Sequence, residues 1–161
     1  MAETSRQRAS VVIRDLRADD VDAITAIDAR HTGEEKRDYW ERTVARFLTG
    51  EADLERVGLA AEGTGDRAGE VCGYLLGEVR AFEFGSEPCG WIFSCGVLPE
   101  LARGGVATWL LAEATTRFAR AGVRKVRTMV RRKEIPVLRF FRSSGFVGGP
   151  FTQLELDLQG D

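Results

Sequence analysis

Histidine, cysteine and long apolar runs are scarce in this chain of 161 residues, which has one histidine and three cysteines. Cys72, Cys89 and Cys95 are odd in number and lack the spacing of metal ligands, which disfavours a disulfide framework or a metal centre and suits a reducing compartment. No apolar run approaches the ~20 residues of a membrane-spanning helix. We therefore predict a cytoplasmic protein that binds neither a membrane nor a metal.

The chain also lacks a net positive charge. Its formal charge is −2, which argues against general affinity for nucleic acid. Residues 124–133, RKVRTMVRRK, hold six basic residues and could form a nucleic-acid patch. Charge runs are more often solvated faces, so we favour a strand with exposed polar positions. A third reading is that Arg131, Arg132 or Lys133 meets a phosphate of a bound ligand.

The remaining composition is that of one globular domain. Hydrophobic residues make up 43% of the chain and charged residues 30%, and the length suffices for a single core. Residues 1–9 contain arginine but no apolar segment, so we predict a flexible tail there and not a signal peptide. A single domain is expected over residues 10–161.

Apolar periodicity predicts alternating strands and helices. Strands are expected at residues 10–16, 57–62, 71–80, 90–98, 124–130, 146–147 and 151–158. Helices are expected at residues 20–29, 34–48, 104–121 and 136–144, with Gly50 ending the second one. This order is typical of a mixed α/β domain.

The most informative stretch is residues 91–121, where an apolar run, a glycine turn and a helical pattern follow one another. Glycine costs helix stability, so the benefit of Gly104 and Gly105 is expected to be bare backbone N–H groups at the start of the helix. Such a start, at the positive end of the helix dipole, suits a phosphate or pyrophosphate. Gly96, inside the preceding strand, is expected to mark a bulge or a close approach.

The glycine turn has three other readings. It could be a tight strand-to-helix connection that binds no ligand, since short glycine motifs recur by chance. A P-loop is excluded because no Lys-Ser or Lys-Thr pair follows the glycines, and the dinucleotide-binding G-x-G-x-x-G pattern is absent.

Two segments together resemble one known family. Residues 97–107, with the pattern V-x-P-x-x-x-R-G-G-V-A and a helix after it, resemble motif A of the GNAT superfamily of N-acetyltransferases. Residues 134–146, EIPVLRFFRSSGF, resemble that family's motif B. The two motifs stand in the family's order and at family-like distance, which favours coenzyme binding over a ligand-free turn.

The resemblance implies an α/β (mixed α+β) fold whose central twisted sheet is mostly antiparallel. About seven strands are expected, splayed between the fourth and the fifth and flanked by four helices. It also implies acetyl-CoA as co-substrate and residues 28–39 as the border of the acceptor site. The coenzyme-binding residues carried over from the motifs are Cys95, Gly96, Val97, Arg103, Gly104, Gly105, Val106, Ala107, Thr108, Glu134 and Phe141.

Three positions depart from the family's pattern. Ala102 stands where motif A usually opens with Gln or Arg, a change that backbone phosphate binding survives. Phe141 stands where many members have the Tyr that protonates the departing thiolate, and a phenyl ring has no proton to donate. Glu134 replaces the usual Asn, which weakens the expected contact to the pantetheine arm.

The implied reaction is direct attack of a primary amine on the thioester. The backbone N–H of Val97 is the expected donor to the developing oxyanion. Free amines have pKa values of ~10, so a base must remove a proton, and Glu87 is our candidate with Glu78 and Glu83 as alternatives. His31 is expected to be a surface residue, and a structural role is favoured for Cys95 over a nucleophilic one.

A non-catalytic module that senses acyl-CoA is the alternative function, motivated by Phe141 and Ala102. Transfer of a longer acyl chain is a further possibility. The acceptor is expected to be a primary amine, of a small molecule or of a protein or peptide. A homodimer is a habit of the family that the resemblance allows.

Overall fold

The computed structural model describes residues 10–49 and 55–159. The expected tail at residues 1–9 and the helix stop at Gly50 lie outside the described residues. By contacts the chain divides into two compact units, Met1–Met129 and Val130–Asp161. The single domain over residues 10–161 stays a prediction.

One sheet contains all five strands that the described residues form. These are β1 (Val11–Asp15), β2 (Arg56–Gly63), β3 (Val71–Arg80), β4 (Cys89–Val97) and β5 (Val126–Thr128). Their order in the sheet is their order in the chain. The first four pair antiparallel, whereas β5 pairs parallel to β4 after the crossover through a helix.

Four α-helices lie in the described chain. They are α1 (Val21–Thr32), α2 (Arg37–Thr49) and α3 (Val106–Arg120) in the first unit and α4 (Ile135–Ser143) in the second. α1 is one turn longer than expected because Gly33, with φ 78°, caps it and donates its N–H to the carbonyl of Ala29 at 2.8 Å. His31 therefore lies in the last turn of a helix.

The helices of the first unit cover both faces of the sheet. α1 and α2 pack on the face to which Tyr74 of β3 points, in a core of Leu16, Ile24, Ile27, Trp40, Val44, Cys72, Tyr74, Leu76 and Leu98. Gly73, the neighbour of Tyr74, faces the other side. There a Cβ on Gly73 would lie 3.2 Å from Val106 of α3. α1 and α3 thus lie on opposite faces of the same strands.

The bulge in β4 lies at a different residue from the one expected. Leu76 pairs with Ser94 and Gly77 with Ile92, so Phe93 is the extra residue of a bulge. Gly96 pairs regularly with Tyr74, and a Cβ there would lie 2.8 Å from Cε1 of that ring. Of the two expectations for Gly96, the bulge lies instead at Phe93, and the close approach is present but comes from a tyrosine of the same chain.

The count of seven strands is wrong in detail, since the described chain forms five. Residues 146–147 and 151–158 form no strand. Their apolar side chains are exposed, with Leu154 at 88% and Leu156 at 82%. Alternation of apolar and polar residues yields a strand only where another strand takes up its backbone groups, and none of the described strands does so here.

Candidate active site

The first turn of α3 presents bare backbone N–H groups. Gly105 precedes the helix with φ 89°, a conformation that favours glycine, and its carbonyl accepts the N–H of Trp109 at 3.1 Å. That bond is the first of the helix, so the N–H groups of Val106, Ala107 and Thr108 come before it. No described side chain caps them, and the turn carries no acidic residue. This end of α3 can therefore hold an anion.

The residues just before Gly105 contribute less than expected. The N–H of Gly104 donates to the carbonyl of Leu101 at 2.9 Å, inside a tight turn, and is not available to a ligand. Arg103 is exposed. The backbone part of the expected anion site therefore narrows to residues 105–108, while Arg103 can contribute through its guanidinium.

The alternation of hydrogen-bonded and non-hydrogen-bonded pairs between β4 and β3 determines which way the backbone N–H and C=O of Val97 point. Leu98 donates its N–H to the carbonyl of Cys72 on β3 at 2.9 Å. Because antiparallel ladders alternate, the next pair, Val97 with Gly73, exchanges no backbone bonds. The N–H and C=O of Val97 consequently point away from β3, and those of Cys95, two residues earlier, point the same way. These are the backbone groups that the resemblance assigns to the coenzyme.

β5 does not cover that side of Val97. It pairs only with Gly90, Trp91 and Ile92, at the beginning of β4. From Phe93 to Val97, no strand of the described chain takes up the edge that faces away from β3. The expected splay between the fourth and fifth strands is confirmed, and it leaves the N–H of Val97 on an unpaired strand edge beside the start of α3.

Cys95 is not set up as a nucleophile. Desolvation by burial raises the pKa of its thiol to about 12. The thiolate is the reactive form of cysteine, so at neutral pH the side chain is protonated. The favoured structural role of the Cys95 side chain agrees with this geometry.

His31 is the residue that sequence reasoning undervalued. Its Nε2 lies 2.7 Å from the carbonyl oxygen of Val97, across 66 residues of chain. The side chain is exposed, as expected, but it reaches the strand edge where the oxyanion donor is expected. One signal was present in the sequence: Gly33 as a helix stop would have extended α1 through His31.

The glutamates nominated as general base lie elsewhere. Glu78 pairs in register with Trp91, six residues before Val97 and therefore about 20 Å along the strand from it. Its carboxylate is engaged by Arg46 at 3.3 Å and Arg80 at 3.4 Å. The structure does not bring Glu78 to the expected site.

Glu83 and Glu87 follow β3 in its connection to β4, at the same far end of the sheet. Glu78 and Glu83 line a polar surface recess of about 580 Å³ together with Glu55, Arg46 and Arg80. Glu83 and Glu87 are not brought to Val97. The connection that holds them begins where β3 ends, and Val97 lies at the opposite end of the β3–β4 hairpin.

The segment after α1 is tied to β4 through a buried network. The carboxylate of Asp28 accepts from Trp40 Nε1 at 3.0 Å and pairs with Lys36 Nζ at 2.8 Å. The Trp40 ring meets Tyr74 edge-on at 5.3 Å, and Ser94 of β4 donates to the Tyr74 hydroxyl at 3.2 Å. Burial holds the pKa of Tyr74 well above its ordinary value, so the hydroxyl stays neutral. Residues 28–39 are thereby held near the unpaired part of β4.

The second unit contains the two remaining expected residues. Phe141 of α4 is buried and packs edge-on against Phe140 and Phe146, with ring centres 5.1 and 5.0 Å away. Glu134 precedes α4, and its carbonyl accepts the N–H of Leu138 at 2.9 Å. Contact of Glu134 or Phe141 with a coenzyme stays a prediction.

The described residues contain no candidate for a membrane-spanning helix or a metal site. No helix formed by residues 10–49 or 55–159 is long and apolar enough to cross a membrane. Within those same ranges, no cluster of three or more His, Cys, Asp or Glu side chains could hold a metal ion.

Comparison with known families identifies the fold type. A model of the acetyltransferase (GNAT) family matches residues 19–146. The chain belongs to the acetyltransferase (GNAT) family. The match includes the α3 turn, the unpaired edge of β4 and α4, and it confirms the expected family, fold class and assignment as an acetyltransferase. A search of curated proteins found no significant match.

Solved structures agree with the GNAT assignment. An aminoglycoside N-acetyltransferase, AAC(6')-Iy in complex with CoA, has a TM-score of 0.76 at 15% identity over 93% of this chain and 96% of that one. The enzyme AAC(6')-Ih from Acinetobacter baumannii has a TM-score of 0.75 at 16% identity, over 94% and 100%. A transcriptional regulator from Bacillus halodurans C-125 has a TM-score of 0.72 at 16% identity, over 92% and 99%. At such identities the likeness shows the fold.

Proposed function

We propose that this GNAT protein transfers an acetyl group from acetyl-CoA to a primary amine by direct attack within a ternary complex. One observation carries the proposal: the unpaired edge of β4 at Val97 lies between two helices on opposite faces of the sheet. The start of α3 offers an anion site on one face, and the last turn of α1 reaches the edge from the other. A thioester and an amine could therefore meet at the edge without a covalent enzyme intermediate.

The residues present fit acetyl-CoA. The N–H groups of residues 105–108 would hold the pyrophosphate, and the absence of an acidic residue from that first turn suits an anion. The backbone groups of Cys95 and Val97, which no described strand takes up, would pair with the amide-bearing arm as a neighbouring strand does. The N–H of Val97 would then donate to the thioester oxygen as negative charge develops on it.

Acyl transfer needs few proton movements here. The new C–N bond forms as the C–S bond breaks, and the amine loses one proton as the ammonium ion and one as the amide forms. A thiol has a pKa of ~8.5, so the departing thiolate is weakly basic and water can protonate it. Phe141, which has no proton to give, is therefore compatible with turnover.

The class of acceptor is the open part of the proposal. Several structural neighbours are aminoglycoside N-acetyltransferases. We include aminoglycosides in the acceptor classes to be tested, beside polyamines and peptides with a free N-terminus. The protein would act on this amine in the cytoplasm, without nucleic acid or membrane.

A module that senses acyl-CoA without chemistry is the second candidate. The observation that favours it is Phe141, which is buried between two other phenylalanines where many GNAT enzymes have a tyrosine. Such a module would bind coenzyme through the same backbone groups, so binding alone does not separate the two candidates.

Release of free thiol from acetyl-CoA in the presence of an amine panel tests the proposal. We expect saturable release that depends on one amine class, together with binding of coenzyme A by calorimetry. Saturable binding without amine-dependent thiol release would favour the sensor. No binding of coenzyme A at all would overturn both. Comparing acetyl-CoA with longer acyl thioesters separates acetyl transfer from longer-chain transfer.

A further inference from the structure

The chain's single histidine contacts the strand edge that the proposed function uses. His31 Nε2 lies 2.7 Å from the Val97 carbonyl oxygen, which can only accept a hydrogen bond. In the neutral ring this nitrogen must therefore carry the hydrogen, and Nδ1 has the lone pair. The bond to Val97 thus selects the tautomer in which the other nitrogen is a base.

Three observations place this base where an amine would arrive. The C=O and N–H of Val97 point to the same side of β4, away from β3, so the imidazole lies beside the expected oxyanion donor. It comes from α1, on the face opposite to α3, where the coenzyme phosphates are expected. The side chain is exposed, so a proton it accepts can pass to water.

We propose that His31 accepts a proton from the acceptor ammonium through Nδ1, while its Nε2–H to the Val97 carbonyl fixes the ring beside the strand edge. This role rests on the acetyl transfer proposed above. The ammonium loses one proton to Nδ1, and the neutral amine forms the C–N bond as the C–S bond breaks. The second proton of the nitrogen passes to water as the amide forms, and water returns one proton to the thiolate.

The ionisable groups nearest to His31 on α1 itself are engaged in ion pairs. Arg30 forms an ion pair with Glu100 at 2.9 Å, and Glu100 also lies 4.0 Å from Arg67. The carboxylate of Asp28, one turn earlier on α1, accepts from Trp40 and pairs with Lys36.

On the sheet, the Cys95 thiol is protonated because burial raises its pKa to about 12. Tyr74, on the face toward α1, is kept neutral by the same effect. In the connection to α2, Glu34 and Glu35 are exposed carboxylates close to His31 in sequence. Glu34 is therefore the competing base, and a test must separate it from His31.

The competing explanation for His31 is purely structural: the ring ties the end of α1 to β4. His31→Gln separates the two, because a glutamine amide can still donate to the Val97 carbonyl but has no basic nitrogen. His31→Ala removes both functions. Arg30→Gln and Glu34→Gln are matched controls, the first for any disturbance of the same helical turn and the second for the competing carboxylate.

We expect His31→Gln to keep the thermal stability and coenzyme A affinity of the wild type while kcat/KM falls at least tenfold, with loss of the acid limb of its pH profile. Added imidazole should restore part of the activity of His31→Ala. Arg30→Gln and Glu34→Gln should keep the wild-type pH profile. If His31→Gln retains wild-type activity, or Glu34→Gln alone abolishes the acid limb, the role is overturned.

An independent readout needs no turnover. Because the chain has one histidine, ¹⁵N NMR of the labelled protein reports its imidazole without assignment. The Nε2–H tautomer is expected, with its hydrogen bonded to the Val97 carbonyl. The Nδ1–H tautomer would overturn the inference. A wild type that binds coenzyme A but acetylates no amine overturns the proposed function, whereas an active His31→Gln overturns only the role of His31.

Discussion

The two ends of β4 are built from the same kind of strand but differ in what surrounds them. At the Cys89 end, β4 has a partner on each side, β3 and β5, and Phe118 of α3 packs onto Gly90. At the Val97 end it pairs with β3 alone, and its other edge meets His31. One end is therefore paired on both edges, while the other leaves backbone groups of β4 without a strand partner.

The two ends of β4 share one reason for a glycine in the strand. Gly90 is required because Phe118 lies within 2.6 Å of any Cβ there, and Gly96 because Tyr74 lies within 2.8 Å. Both glycines make room for the chain's own aromatic rings. A glycine beside a suspected ligand site is thus not evidence for the ligand, whereas a strand edge without a strand partner does offer backbone groups for binding.

The largest effect on stability is expected from a substitution at the Cys89 end of β4, which is paired on both edges. Gly90→Ala places a methyl group 2.6–2.9 Å from three ring atoms of Phe118, which is fully buried. The ring cannot move freely in a filled core, so we expect a loss of about 1–3 kcal/mol in the free energy of unfolding. Urea denaturation followed by circular dichroism measures it.

Gly148→Ala is the matched control, since nothing lies within 4 Å of a Cβ at that position and its φ is ordinary. We expect a change of less than about 0.5 kcal/mol there. Equal stability of Gly90→Ala and the wild type would show that the two ends do not differ in packing as described.

The second-largest effect is expected beside the Val97 end of β4, in the first turn of α3. It should weaken coenzyme A binding without lowering the stability of the fold. Thr108 is exposed in the first turn of α3. Thr108→Glu adds a negative charge that the helix dipole favours but that repels a pyrophosphate by roughly 1–4 kcal/mol at ~4 Å. Coenzyme A should therefore bind tenfold or more weakly, while the melting temperature stays equal or rises.

Calorimetry and thermal denaturation of Thr108→Glu and Thr108→Gln together measure this. The glutamine variant has nearly the same shape without the charge and should bind as the wild type does. Undiminished binding by Thr108→Glu would remove the start of α3 from the coenzyme site.

The smallest effect is expected from Cys95. Its thiol stays protonated because burial raises its pKa to about 12, so Cys95→Ala should leave kcat and its pH dependence unchanged between pH 6 and 9. Cys89→Ala, at the paired end of the same strand, is the matched control. Loss of turnover in Cys95→Ala alone, with coenzyme A affinity retained, would make the thiol catalytic.

Much of the fold follows from local sequence patterns. The run of residues 90–98 and the helical face after Gly105 predicted β4 and α3 to within a residue or two, because both have continuous periodicity and a clear turn between them. The alternation at residues 151–158 was equally regular, but the strand that it predicted does not form. Regular alternation does not supply a pairing partner, and the described chain provides none for that segment.

The candidate site also has one part that local sequence predicted and one part that it did not. The anion site at Gly105 is local, so the glycine turn and the helix after it were enough to predict it. The side chains around Val97 are not local: the nominated glutamates lie at the far end of the β3–β4 hairpin, and His31, the proposed base, is 66 residues from the carbonyl it contacts. Position along a strand, not nearness in sequence, decides which side chains meet.

The sequence by itself determined the order of elements, the turn that bares the start of α3, and the motifs of the GNAT family, because each depends on residues within a few positions of one another. Only the tertiary structure decided that β5 pairs with β4 no further than Ile92, that Val97 turns its N–H and C=O away from β3, and that the end of α1 meets Val97 there. Those facts depend on strand register and on the packing of helices on opposite faces, which arise only when distant segments are brought together.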